Sequence, residues 1–119
     1  MKGATMRRVR LAAILLSMLA TPAMAKDMQF WNQTSKEFTG VYLAPAGTSQ
    51  WGGNQTDNDA DHSVAADERL KLTGIAPGRY DVKLIDKAGR TCVVRDMEAK
   101  AGGKVAFAIG EPQLAGCKP

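Results

Sequence analysis

From Met28 onward the chain repeats a two-residue rhythm of apolar and polar side chains, and nowhere sustains a helix-like period of 3.6 residues. Arg69–Thr73 alternates cleanly, with Leu70 and Leu72 opposing Arg69, Lys71 and Thr73. Tyr80–Ile85 sets Tyr80, Val82 and Leu84 against Asp81 and Lys83. Met28–Trp31, Thr39–Ala44, Thr91–Met97 and Lys104–Ile109 carry the same pattern. Such alternation packs one face and wets the other. It predicts an all-β fold, a small antiparallel β-sandwich of six or seven strands. The best helical candidate, Ser63–Glu68, is too short to stand alone.

Turn chemistry separates these runs. Pro77-Gly78 precedes the Tyr80 run, and Asp86-Lys87-Ala88-Gly89 reads as a short hairpin loop with Gly89 in the left-handed position. Ala101-Gly102-Gly103 leads into the sixth run. The exception is Pro45–Asp67, a long Gly-, Ser-, Thr-, Asn- and Asp-rich segment around Trp51. Loops of that length are often functional, so a site is expected there first.

Met1–Ala25 reads as a cleavable secretory leader. Lys2, Arg7, Arg8 and Arg10 precede the apolar run Leu11–Ala20, and Ala23-Met24-Ala25 supplies small residues for cleavage. The apolar run is half of the roughly 20 residues that a spanning helix needs. The expected mature chain, residues 26–119, is one exported domain in the periplasm, with no membrane insertion after cleavage. Cleavage also removes the basic excess. The chain has 16 Lys and Arg against 12 Asp and Glu, and four of the bases lie in the leader. Bases then equal acids and are scattered among them, which argues against nucleic-acid binding.

Cys92 and Cys117 form an even pair. In an oxidising compartment they read as a disulfide, since the close spacing of a redox pair is absent. Closing a loop of that length stabilises a fold by about 3 kcal/mol.

Several clusters carry residue types suited to chemistry. Asp57, Asp59 and Asp61 stand at alternate positions, with Glu68 at position twelve counted from Asp57. That spacing resembles an EF-hand calcium loop and makes a calcium- or lanthanide-binding site one reading. Position six, however, holds His62 where the loop's sharp turn needs Gly, and no amphipathic helix flanks it. A solvated acidic turn is the plainer reading. His62, the single histidine, reads as an exposed loop residue. Trp51 offers a flat face for a ligand or partner, or simply anchors its loop. Asn32-Gln33-Thr34 and Asn54-Gln55-Thr56 suit turns that hydrogen-bond local backbone. Asp81, Asp86 and Asp96 look like surface partners for neighbouring Lys and Arg.

The sequence contains no Gly-x-Ser-x-Gly elbow, phosphate loop or Cys/His set. The expectation is a non-enzymatic periplasmic binding or accessory protein without a cofactor. Its surface would include Trp51, His62 and nearby strand edges, and it would meet a periplasmic protein partner. An inhibitor, or a small subunit of a periplasmic enzyme complex, is an alternative.

Asn32-x-Thr34, Val41-Tyr42-Leu43-Ala44-Pro45, Trp51-Gly52 and Tyr80-Asp81-Val82, followed by Asp86 and Gly89, resemble a loose group of small exported proteobacterial proteins of unassigned function. The resemblance implies a single β-sandwich domain and no catalytic residues. In that group a cysteine often precedes the Tyr-Asp pair. Here Gly78-Arg79 stands there, and Cys92 lies on the next run.

Overall fold

Strands form where the two-residue rhythm places them. The structure, a computed structural model, describes residues 28–102 and 104–117. The leader expected at Met1–Ala25 lies outside the described residues. The strands are β1 (Met28–Gln33), β2 (Phe38–Pro45), β3 (Arg69–Leu72), β4 (Gly78–Asp86), β5 (Thr91–Ala99) and β6 (Val105–Gly110). They make two three-stranded sheets, ordered β3-β1-β6 and β2-β4-β5.

The apolar positions of both sheets meet in one core. Phe30, Leu70 and Ile109 come from the first sheet, and Val41, Val82 and Leu84 from the second. Phe30 and Phe107 pack with ring centroids 5.4 Å apart. Burying each such side chain stabilises the fold by roughly 1.5–3 kcal/mol. This core makes the protein a β-sandwich.

One detail of the expected sheets needs correction. The sandwich is not wholly antiparallel, because β1 and β6 run parallel, pairing Phe30 with Phe107 and Asn32 with Ile109. A parallel pair needs a long crossover rather than a hairpin, so no local turn signal announces it. Ser63–Glu68, too short to stand alone as a helix, forms none. Val64 instead exchanges backbone hydrogen bonds with Phe38, at 3.0 and 2.9 Å. Among the described residues the α-helix is α1 (Glu111–Leu114), with a 3₁₀ turn at Gln55–Asn58.

Turn side chains fix the strand ends. The Tyr80 hydroxyl donates to the Ala76 carbonyl at 2.7 Å, closing the Pro77-Gly78 corner as a tyrosine corner does. Gly89 takes φ 87° in the β4–β5 hairpin. Asp86 Oδ1 accepts the backbone N–H groups of Ala88 and Arg90, both at 2.9 Å.

Asp81 and Asp86 do pair with Arg95 and Arg90, but from buried positions rather than at the surface. Asp81 is 1% exposed. Opposite it, β5 bulges at Arg95-Asp96, because the pairing slips between Tyr80 and Val82. Asp96 adopts φ 56° there. Asp81 Oδ1 accepts from Asp96 N at 2.9 Å, and Oδ2 accepts from Gly47 N at 2.9 Å and Arg95 Nη1 at 3.1 Å. These bonds hold its carboxyl below the usual range, the Gly47 N–H first and the Asp96 N–H next. Asp96 does make a surface pair, with Arg79 Nε at 2.6 Å.

Candidate functional site

The Pro45–Asp67 segment is where sequence reasoning looks for a site, and its polar side chains turn mostly to the protein's own backbone. Asn54 Oδ1 accepts from Val41 N and its Nδ2 donates to Thr39 O, both at 3.0 Å. Its side-chain amide thus stands in for a neighbouring strand along the edge of β2. Gln55 treats the other sheet likewise, donating to Thr73 O at 3.1 Å and accepting from Thr73 N at 2.9 Å. Thr56 Oγ1 adds a bond to Thr39 O at 3.1 Å, and Asn58 Nδ2 one to Lys71 O at 2.8 Å. Gly52 N donates to Leu43 O at 3.0 Å. The segment is a strap that stitches the β2 edge of one sheet to the β3 edge of the other.

That role disperses the acidic residues. Asp59 Oδ2 accepts from Asp61 N at 2.8 Å, and Glu68 Oε1 accepts from Ala65 N at 2.7 Å. Asp57 faces His62 Nδ1 at 3.6 Å, with both side chains about 70% exposed, at 71% and 69%. Among the described residues, no three His, Cys, Asp or Glu side chains gather as a metal ion requires. Asp59 and Glu68 thus turn to nearby backbone N–H groups and Asp57 faces His62, rather than all converging on one centre.

Trp51 lies outside the second sheet, where the Lys83 ammonium sits 4.9 Å from its ring and 5.0 Å from that of Tyr42. This cation–π stack anchors the strap to β4. The strap's other end is held by Trp31, whose Nε1 donates to Asp67 Oδ1 at 3.1 Å while Arg69 lies 4.3 Å above its ring. Ser63 is buried and donates to Glu37 Oε2 at 2.8 Å. That bond, then the Lys87 charge, keeps the Glu37 carboxyl below its ordinary range.

A concave feature lies between the second sheet and α1. It is a pocket of about 170 Å³. Phe38, Leu84, Leu114 and the Cys92–Cys117 pair give it apolar walls, and Lys36, Asp86, Arg90 and Thr91 ring it. Cys92 and Cys117 are bonded as a disulfide. Sequence reasoning identified the bridge but not the pocket that it walls. The missing signal was α1, where Gly110 N donates to Gln113 Oε1 at 2.7 Å and Glu111 Oε2 accepts from Ser35 N at 2.7 Å. Those bonds set Leu114 over the pocket. The Ser35 N–H also holds the Glu111 carboxyl below its usual range.

Comparison of the chain with protein-family models, with curated proteins and with solved structures returned no match. Functional inference therefore rests on the residues themselves. Among the described residues no helix is long and apolar enough to cross a membrane. The disulfide is consistent with an oxidising compartment outside the cytoplasm.

Proposed function

We propose that the chain is a non-enzymatic binding or accessory protein of the periplasm that docks on a partner protein through the Leu114 pocket. The observation that carries this reading is the pocket's size together with its lining. At about 170 Å³ it falls below the roughly 300–1,000 Å³ of small-molecule sites, yet it has room for one apolar side chain. Buried anchor side chains of that kind dominate protein–protein affinity. The strap supports the same conclusion from the opposite direction. Asn54 and Asn58 bond backbone of β2 and β3, so the strap already covers part of the edges that a partner strand would need.

The reading includes export through the Met1–Ala25 leader and kinship with the small exported proteobacterial proteins that the strand motifs resemble. An inhibitor or a small subunit of an enzyme complex would use the same pocket and differ only in the partner's identity. Among the described residues no contact favours the calcium- or lanthanide-binding reading over this one.

The test is capture of a crosslinked partner from periplasmic extract, comparing the wild type with Leu114→Trp, which plugs the pocket. The same partner protein is expected with the wild type and lost with the folded variant. Equal capture by both, or no specific partner for the wild type, would refute the proposal.

A further inference from the structure

Beyond β6 the chain carries a segment that the core does not hold. Every member of the buried apolar core lies between Met28 and Ile109. The seven residues Glu111–Cys117 include no buried residue, and Leu114 packs only half-buried against the core. Among the described residues, hydrogen bonds tie this segment to the rest of the chain at two places. Ser35 N donates to Glu111 Oε2 and Gly110 N to Gln113 Oε1, each at 2.7 Å. Lys36 adds its charge beside the Glu111 carboxylate. The Ala115 and Cys117 N–H groups donate within the segment itself. A four-residue helix does not sustain itself, and an exposed ion pair adds little. Ordering seven residues costs more backbone entropy than these few contacts offset. What keeps the segment in place is the covalent bond from Cys117 to Cys92, near the start of β5.

We infer that Cys92–Cys117 is a redox-sensitive latch on a lid: a dithiol reductant opens it, Glu111–Cys117 comes free of the second sheet, and both sheets stay folded. Both cysteines are half-buried rather than sealed in the core, so a thiolate can reach the bond. One thiolate of the dithiol attacks a bridge sulfur and displaces the other as a thiolate. The second thiol of the reductant then attacks the mixed disulfide, and the reductant leaves as its own disulfide. The bridge gains two electrons, and the two protons of the dithiol end on Cys92 and Cys117. The dithiol of a protein oxidoreductase is the class of reductant that this chemistry fits. Opening the lid takes Leu114 away from Phe38 and Leu84, with which it lines one recess. The latch does not rest on the docking reading, and its test involves no partner.

The test is nuclear magnetic resonance of the isotope-labelled protein in native buffer, bridged, reduced with dithiothreitol, and reoxidised with glutathione disulfide. Reduction is expected to lower the backbone order parameters of Glu111–Cys117 from about 0.85 to below about 0.6. Amide signals of β1–β4 should stay in place, and reoxidation should restore the ordered segment. The rate of reduction, measured across denaturant concentrations below the unfolding transition, is expected to be flat, as for a bond reached without unfolding. A rate that instead tracked global unfolding would overturn the latch, because the bond would then be reachable only in the unfolded chain. Loss of the sheet signals on reduction would make the bridge a staple of the whole fold, and a segment that stayed ordered without it would leave no lid to release. Failure of reoxidation to restore the segment would overturn the switch.

Discussion

Asn54 and Gln55 are consecutive in the chain, yet their side-chain amides pair with backbone belonging to opposite sheets, Asn54 on β2 and Gln55 on Thr73 just past the end of β3. Each replaces the strand that its sheet edge lacks. Asn54→Ala and Gln55→Ala are each expected to destabilise the protein by about 1–2 kcal/mol, since each leaves backbone groups unpaired. Thermal melting of the single variants measures this. The double variant exposes two strand edges and is expected to self-associate, which light scattering after size exclusion would detect. A fully stable, monomeric double variant would show that water satisfies those edges unaided.

Asp81 is the counterpart of that pair inside the second sheet, where it fills the β5 bulge. Its carboxyl titrates below the ordinary value of about 3.9, so its stabilisation is complete above that value. The contribution is lost as pH falls through the lower native value. Asp81→Asn is expected to cost about 2–3 kcal/mol at neutral pH, because an amide cannot accept all three bonds. The variant should also lose stability less steeply than the wild type below about pH 4. Melting curves across that range decide the point, and parallel acid limbs would remove Asp81 from the account.

Asn32 is fully buried and holds β1 to the segment before β3. Its Nδ2 donates to the carbonyls of Lys36, Val64 and Ala65 at 2.8–3.2 Å, and its Oδ1 accepts from Thr34 N and Oγ1 at 3.0 and 2.8 Å. Asn32→Ala orphans several buried groups at once and is expected to cost about 3 kcal/mol or more. Asn32→Asp should be comparably damaging, since it loses the donors and buries a charge. Denaturant unfolding of the two variants is the check, and a cost below about 1 kcal/mol for either would mean that the buried network is not needed.

Cys92→Ser/Cys117→Ser is expected to lower stability by about 3 kcal/mol, the worth of closing a loop of this length. Because Leu114 and the bridge wall the same pocket, loss of amide protection should concentrate in Glu111–Cys117 and the start of β5. Hydrogen exchange measures the pattern. Uniform loss of protection across both sheets would instead make the bridge a staple of the whole fold.

Calcium at millimolar and lanthanide at micromolar concentration are expected to leave the melting temperature unchanged, because Asp59 and Glu68 are turned to nearby backbone N–H groups. A rise that chelator reverses would restore the metal reading, by mass action on the folded state.

The period-two alternation made the six strands and their inward faces legible, and Leu70, Leu72, Val82 and Leu84 lie inside as their spacing requires. The Pro77-Gly78 and Gly89 turns were legible because proline and glycine restrict or free φ locally. The parallel β1–β6 pair was not, since its partners are far apart in sequence and share no turn. Asp81 read as a surface charge because alternation places it opposite Val82. The bulge and the Gly47 N–H that bury it belong to other parts of the chain. The strap read as a site because its polar composition is the same whether its amides face water or a strand edge. The pocket escaped notice because it depends on where a four-residue helix sets Leu114.

The most direct test of the docking account is signal mapping of the labelled protein as the captured partner is added. The account predicts that the shifts centre on Phe38, Leu84, Cys92 and Leu114, with Lys36 at their margin. Shifts centred on Trp51, Asp57 and His62, with the pocket signals unmoved, would contradict it and return the working surface to the strap.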